Sequence, residues 1–263
     1  MKKKSIFEPL KWFDPFTYLD MVLEKVWPRN KKSKWQEAGY DLIYLVFAFL
    51  VAFVLYTILS LAWQTSSPMV IVVSGSMEPV LYRGDVVFLH GIQTSEVSAP
   101  EVDVNAPLTN AVISNFLTPH YADNQIESIS FENNQSVPIQ TTGDIIVYNS
   151  PLLGEQIIHR AIAKLNATDG TFLLTKGDSV YNTTFDQDCG SVQVLPLANG
   201  QVKILTEKAC ITPFAVSQEQ LQGKVQFAPF KIPLVGCVKL WLVDDLVSLI
   251  RTHKLPANFQ GIC

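Results

Sequence analysis

The stretch LIYLVFAFLVAFVLYTILSLAW, residues 42–63, is followed five residues later by MVIVV, residues 69–73. The first run carries no charge over 22 residues. As a helix it would be about 33 Å long at about 1.5 Å per residue, enough to cross a hydrocarbon core of about 30 Å. A cleaved signal peptide is the alternative, but its apolar region is usually only about 7–15 residues long. A buried soluble helix fits less well, because the run is apolar on every face. The second run is short and dominated by β-branched residues, which favour strands. The pair predicts a membrane anchor leading directly into β structure.

Charge is divided at the same place. Residues 1–41 hold nine Lys or Arg and six Asp or Glu, a net of +3, whereas residues 42–263 hold eleven and eighteen, a net of −7. Lys25, Arg29, Lys31, Lys32 and Lys34 precede the span, and the first charge after it is Glu78. The positive-inside rule therefore predicts a single-pass protein, with a cytoplasmic N-terminus and an exterior or luminal remainder. Trp35, Tyr40 and Trp63 suit the two interfaces. Asp14-Pro15 reads as a helix cap, with Phe16, Leu19, Leu23 and Val26 on one face of the helix that follows. No basic cluster is interleaved with aromatic residues, which argues against nucleic acid as a partner.

After the span, Met69–Val73, Val86–Leu89, Ile145–Tyr148 and Phe172–Thr175 read as strands, and Gly84-Asp85, Gly143-Asp144 and Gly177-Asp178 as turns beside them. Residues 92–140 contain six acidic residues and no Lys or Arg. They read as an acidic insertion with some local structure around Leu108–Leu117, to which no chemistry is assigned. The predicted organisation is thus a basic cytoplasmic segment (1–41), a transmembrane helix (42–63), a β domain (64–91 and 141–232) interrupted by the insertion (92–140), and an apolar, membrane-proximal tail (233–263). Lys239, Asp244 and Asp245 interrupt that tail, so it either rests on the membrane surface or forms a core strand running into a helix.

The four cysteines, Cys189, Cys210, Cys237 and Cys263, show no C-x-x-C spacing, which argues against a metal site. Cys189 and Cys210 could close a loop in an oxidising compartment, and free buried thiols are the equal alternative. Asn134, Asn166 and Asn182 each begin a glycosylation acceptor pattern.

Chemistry is concentrated in three places. Ser74-Gly75-Ser76-Met77-Glu78-Pro79 follows an apolar strand, with Gly75 allowing a tight path and Pro79 fixing the chain. A serine hydroxyl needs a base within hydrogen-bond reach, and the base needs an orienting group. Among four histidines, His159 sits between apolar residues in Gln156–Ala161 that could fix its ring. The stretch Thr175–Asp188 then supplies Asp178, Asp186 and Asp188.

Taken together, these stretches resemble a type I signal peptidase of the archaeal and endoplasmic-reticulum kind. The family pattern of an anchor, a serine box, a Gly-Asp-strand box, a histidine-arginine box and a Lys-Gly-Asp…Asp box reads here as Ser74–Pro79 with Arg83–Phe88, then Thr142–Tyr148, Ile158–Arg160 and Thr175–Asp186, in family order. The resemblance covers about residues 40–90, 142–188 and the apolar tail. It implies a mainly β, signal-peptidase-like antiparallel catalytic fold behind one N-terminal transmembrane helix. It implies Ser76 as nucleophile, His159 as general base, Asp186 as the acid that orients the imidazole, Asp178 as a second supporting acid, and Ser74 with the Ser76 N–H as oxyanion donors. The distance from Asp178 to the second acid is longer than the family's usual spacing. Asp186 is preferred if Asn182 matches the family's asparagine, and Asp188 is the alternative if the extra residues fall later.

The implied activity is a serine endopeptidase of the cell membrane or endoplasmic-reticulum membrane that removes signal peptides from preproteins. It needs no metal or cofactor. The implied partners are preprotein signal peptides, membrane lipid, the protein-translocation machinery and partner subunits. A self-cleaving repressor would use a Ser-Lys pair in the cytoplasm, against the span and His159. A tethered binding module would not need the full Ser-His-Asp set.

Overall fold

The computed structural model describes residues 14–27, 34–196, 202–226 and 236–239. It divides into two units, Met1–Ala62 and Trp63–Cys263.

The first unit holds α1 (Pro15–Val26) and α2 (Lys34–Ala62). The Phe16 N–H donates to Asp14 Oδ1 at 3.0 Å, and Pro15 occupies an early position where no N–H is required. The Phe16 ring meets Phe47 edge-on at 5.3 Å, and the Tyr40 hydroxyl donates to the Trp27 carbonyl. Within α2, Trp35–Ala62 is long and apolar enough to cross a membrane. Arg29, Lys31 and Lys32, used above to orient the span, lie outside the described residues.

The second unit is mainly antiparallel β, as the sequence predicts. Its strands are β1 (Met69–Ile71), β2 (Val86–His90), β3 (Glu101–Asp103), β4 (Leu117–Ala122), β5 (Gln125–Phe131), β6 (Ser136–Pro138), β7 (Ile145–Ser150), β8 (Glu155–Ala167), β9 (Gly170–Lys176), β10 (Val192–Pro196), β11 (Val202–Thr206) and β12 (Leu221–Val225). The main sheet runs β1-β2-β12-β7-β8-β3, with β9 also pairing β8. Its β3–β8 pair is parallel. Both faces are covered at the centre of the sheet: Ile145–Tyr148, a continuous apolar run, and His159–Leu165, which carries His159, Arg160 and Lys164 among apolar residues, are buried throughout. One core cluster (Val72, Met77, Leu81, Val87, Leu89, Val147) lies under the serine box, and another (Ile146, Tyr148, Leu173, Val216) lies within the sheet.

Residues 92–140, read above as an insertion, are more ordered than their composition suggested. β4, β5 and β6 form their own antiparallel sheet, and β3 joins the main one. Ile129 and Phe131 alternate with polar residues, and the register shift at Glu127 turns Ile126 inward as well, so all three enter a core shared with Leu165, Leu174 and Phe185. The recurring apolar residues Ile126, Ile129 and Phe131, rather than the run of acids and Asn, were the informative signal there.

The three Gly-Asp pairs are not alike. Gly84 has φ +85° in a turn. Gly143 is required by close approach instead: a Cβ there would stand 1.9 Å from the Ala161 carbonyl oxygen. Cys189 and Cys210 form a disulfide across 21 residues, and Cys237 is disulfide-bonded as well. The described part of the tail is α3 (Gly236–Lys239), and the rest of 233–263 lies outside the described residues.

Candidate active site

Ser76 stands at the turn that follows β1. Met77, fully buried, pins the turn to the core, and the Glu78 N–H donates back to the Gly75 carbonyl at 3.2 Å. The Ser76 carbonyl accepts two hydrogen bonds of 2.9 Å, one from the Ser179 N–H and one from Asn182 Nδ2. Ser76 Oγ lies 3.1 Å from Ser74 Oγ. In this conformation it pairs with Ser74 and makes no hydrogen bond to His159. Such contacts commonly tighten only when substrate binds.

His159 and Arg160 are neighbours on β8 and therefore point to opposite faces. His159 is buried, and its Nδ1 lies 2.8 and 2.7 Å from the two carboxylate oxygens of Asp186. Arg160 turns the other way. Its Nε donates to Asp178 Oδ1 at 2.8 Å, its Nη2 donates to Asp178 Oδ2, and its Nη1 donates to the Gly143 carbonyl at 2.6 Å. Asp178 thus fastens the Lys-Gly-Asp loop to β8 and does not touch the imidazole. Asp186, not Asp188, is brought to His159.

Asp186 is buried and fully coordinated. The Tyr148 hydroxyl donates to Oδ2 at 2.8 Å and the Thr175 hydroxyl to the same oxygen at 2.6 Å. Its own N–H donates to the Thr175 carbonyl at 2.9 Å. Burial alone pushes this carboxyl up. The facing His159 and the Thr175 and Tyr148 hydrogen bonds outweigh it and hold the group below its ordinary value. Tyr148 is itself pushed well above its ordinary value, first by burial and then by the Asp186 charge, so it remains a donor. Gln187 completes the cluster, with Nε2 donating to Thr175 Oγ1 and Oε1 accepting from the Thr175 N–H.

Asp188 faces elsewhere. It accepts from the Tyr121 hydroxyl, from Thr184 Oγ1 at 2.9 Å and from Lys208 Nζ at 3.2 Å. Lys176 is buried, and burial depresses its ammonium, whose Nζ donates to the Gly177 carbonyl at 2.9 Å.

At Gly177 the serine, histidine and Lys-Gly-Asp boxes approach one another. A Cβ there would stand 1.9 Å from Asn182 Nδ2, 2.6 Å from the Ser76 carbonyl oxygen and 3.0 Å from His159 Nε2. Ser74, Ser76, His159 and Asn182 open onto one cavity of about 550 Å³, walled by Met69–Ile71 and Glu155–Ile158. β1 pairs with β2 alone, and β9 covers the outer edge of β8 only from Arg160 onward. Both walls therefore present open strand edges among the described residues. The cleft suits an extended peptide added as a strand.

Sequence reasoning gave no role to Tyr148, Thr175 or Gln187. Tyr148 and Thr175 stand at the ends of boxes already marked out, so a count of donors needed by a buried carboxylate would have pointed to them.

No family model matches the chain. It is similar to proteins described as the signal peptidase complex catalytic subunit SEC11. That of Clavispora lusitaniae is 28% identical over 139 residues, 53% of this chain and 57% of that protein. That of Candida tropicalis is 30% identical over 135 residues, 51% and 55%. That of Schizosaccharomyces pombe is 27% identical over 151 residues, 57% and 65%. The chain spans a little over half the length of the curated relatives it matches.

Proposed function

We propose that this chain is a membrane-bound serine endopeptidase that removes signal peptides from secreted and membrane preproteins, with Ser76, His159 and Asp186 as its triad. The observation that carries the proposal is the His159–Asp186 pair, 2.7 Å apart and buried, opening onto the same cleft as Ser74 and Ser76. The descriptions of the similar proteins point to the same activity.

Asp186 accepts the Nδ1–H of His159 and thereby leaves Nε2 free as the base. Ser76 Oγ turns from Ser74 towards Nε2, gives up its proton and attacks the scissile carbonyl. The oxyanion is held by the Ser76 N–H and by the Ser74 hydroxyl released in that turn. One such donor is worth about 2.7–4 kcal/mol of barrier. His159 protonates the leaving amine, then activates the water that hydrolyses the acyl-enzyme. Asp178 supports the site at one remove, by fixing Arg160 and the loop that holds the Ser76 carbonyl.

The substrate is the extended segment after a signal-peptide apolar region. The helix Trp35–Ala62 anchors the enzyme in the cell membrane or the endoplasmic-reticulum membrane, with the basic N-terminal segment cytoplasmic and the β domain exterior or luminal. Its partners are preproteins, lipid, the translocation machinery and, as for relatives described as subunits of a complex, companion subunits. The test is cleavage of a model preprotein, in detergent and in native membranes, by the wild type, Ser76→Ala and His159→Ala. Cutting after an Ala-x-Ala-like site by the wild type alone supports the proposal. Full activity in Ser76→Ala, or none by the wild type in either setting, rejects it.

A further inference from the structure

The chain departs from the family spacing in two places, the long segment between Asp178 and Asp186 and the 92–140 insertion, and the two meet in space. The loop that starts at Gly177 serves both halves of the site. Its Ser179 and Asn182 hold the Ser76 carbonyl, and its Asp186 holds His159. Along this stretch, residues 180–185 form no helix or strand. Fixing such residues costs backbone entropy.

The hairpin of β4 and β5 grips this segment at successive points. Gln125 Nε2 donates to the Val180 carbonyl at 2.8 Å, and the Ile126 N–H donates to the Thr183 carbonyl at 2.8 Å. The Tyr121 hydroxyl lies 2.8 Å from Thr184 Oγ1 and donates to Asp188 Oδ2. The β4–β5 register shifts between His120 and Tyr121, an irregularity of the kind that re-aims a side chain. Lys208 Nζ neutralises Asp188 and lies 5.9 Å from the centre of the Tyr121 ring. Burial, then Asp188, push the Tyr121 phenol up to about 12, so it stays a donor across the working range.

We propose that the insertion is a brace for the catalytic loop: by holding residues 180–184 it sets the spacing between Ser76 and the His159–Asp186 pair, with Tyr121 and Gln125 as positioning residues. The longer loop supplies the surface the hairpin grips, so each departure accounts for the other. The kinetic half of this inference rests on the peptidase reading.

The test uses the full chain in detergent and compares Tyr121→Phe, Gln125→Ala and the double variant with Asn133→Ala. Asn133 belongs to the same insertion but binds the Asp103 carbonyl and Gln135, away from the loop. Two quantities are read: kcat and KM per folded molecule on a model preprotein, and amide hydrogen exchange over 177–188. The double variant is expected to lose roughly tenfold or more in kcat, as for a displaced reacting group. Its KM should stay within about twofold, because the cleft walls are untouched. Exchange over 177–188 should quicken, and Asn133→Ala should do neither. Unchanged kcat, unchanged exchange, or an equal effect from Asn133→Ala each overturns the brace. If the wild type cleaves no preprotein, the peptidase reading fails and exchange alone decides the brace: faster exchange in the double variant supports it, and unchanged exchange overturns it.

Discussion

Replacing Gly177 with alanine is a small change that reaches the proposed nucleophile Ser76, the proposed base His159 and the supporting Asn182 together. The added methyl would need about 1.5 Å more room from Asn182 Nδ2, 0.8 Å more from the Ser76 carbonyl oxygen and 0.4 Å more from His159 Nε2 to reach ordinary contact at 3.4 Å. The asparagine side chain can swing aside, but the Ser76 carbonyl then loses one of its two donors. The carbonyl oxygen is backbone, and it moves only by carrying the nucleophile with it. A displacement near 1 Å at a reacting group costs about a hundredfold in rate. That corresponds to about 2.7 kcal/mol of barrier at about 1.36 kcal/mol per tenfold. Overpacking costs a further 1–3 kcal/mol or so of stability. The assay is single-turnover cleavage of a preprotein with enzyme in excess, run beside a thermal melt and labelling of Ser76 by a fluorophosphonate. Gly177→Ala should stay folded, label slowly and cleave about a hundredfold more slowly, with KM nearly unchanged. A folded variant that turns over within about threefold of the wild type would refute the reasoning.

Three further outcomes are expected. Asp186→Asn should lower kcat on the order of 10⁴-fold by presenting the wrong imidazole tautomer, whereas Asp188→Asn, which touches no reacting group, should lose no more than roughly tenfold; parallel kinetics on the two variants decide between the aspartates. Because the Asp186 carboxyl is held below its ordinary value in the folded chain, its charge contributes stability above the unfolded value of about 3.9, and that stability is lost as pH falls towards and through the lower folded value; the melting temperature should fall below about pH 4, less steeply in Asp186→Asn. Replacing Cys189 and Cys210 together by serine should cost about 3 kcal/mol in a urea melt, for a loop of 21 residues.

The anchor, the strand-rich body and the order of the boxes could be read because each depends on local pattern. A charge-free run, short β-branched blocks and Gly-Asp pairs announce themselves within a few residues. The preference for Asp186 rested on counting from Asn182, and the same asparagine is the one whose amide reaches the Ser76 carbonyl. What stayed hidden depends on pairings distant in sequence. Nothing local in Leu221–Val225 says that this strand enters between β2 and β7. Nor does Glu101–Asp103 announce a parallel pairing with β8. Tyr148 and Thr175 looked like ordinary strand residues, because their hydroxyls matter only once Asp186 is buried between them. Gly177 read as a turn former, whereas its missing side chain is what lets three segments converge.

The point at which β9 takes over the outer edge of β8 sets a limit on what the cleft can accept. Glu155–His159 offers about five residues of open edge, about 16 Å at about 3.3 Å per residue, and from Arg160 onward that edge is occupied. A guest strand laid along it reaches a dead end at the imidazole. Under the proposed activity, the bond to be cut therefore lies at the terminus of the track, and the polypeptide beyond must leave it there. The protein would measure its substrate by running out of rail: an unfolded leader is admitted and read, while the passenger domain behind it never enters.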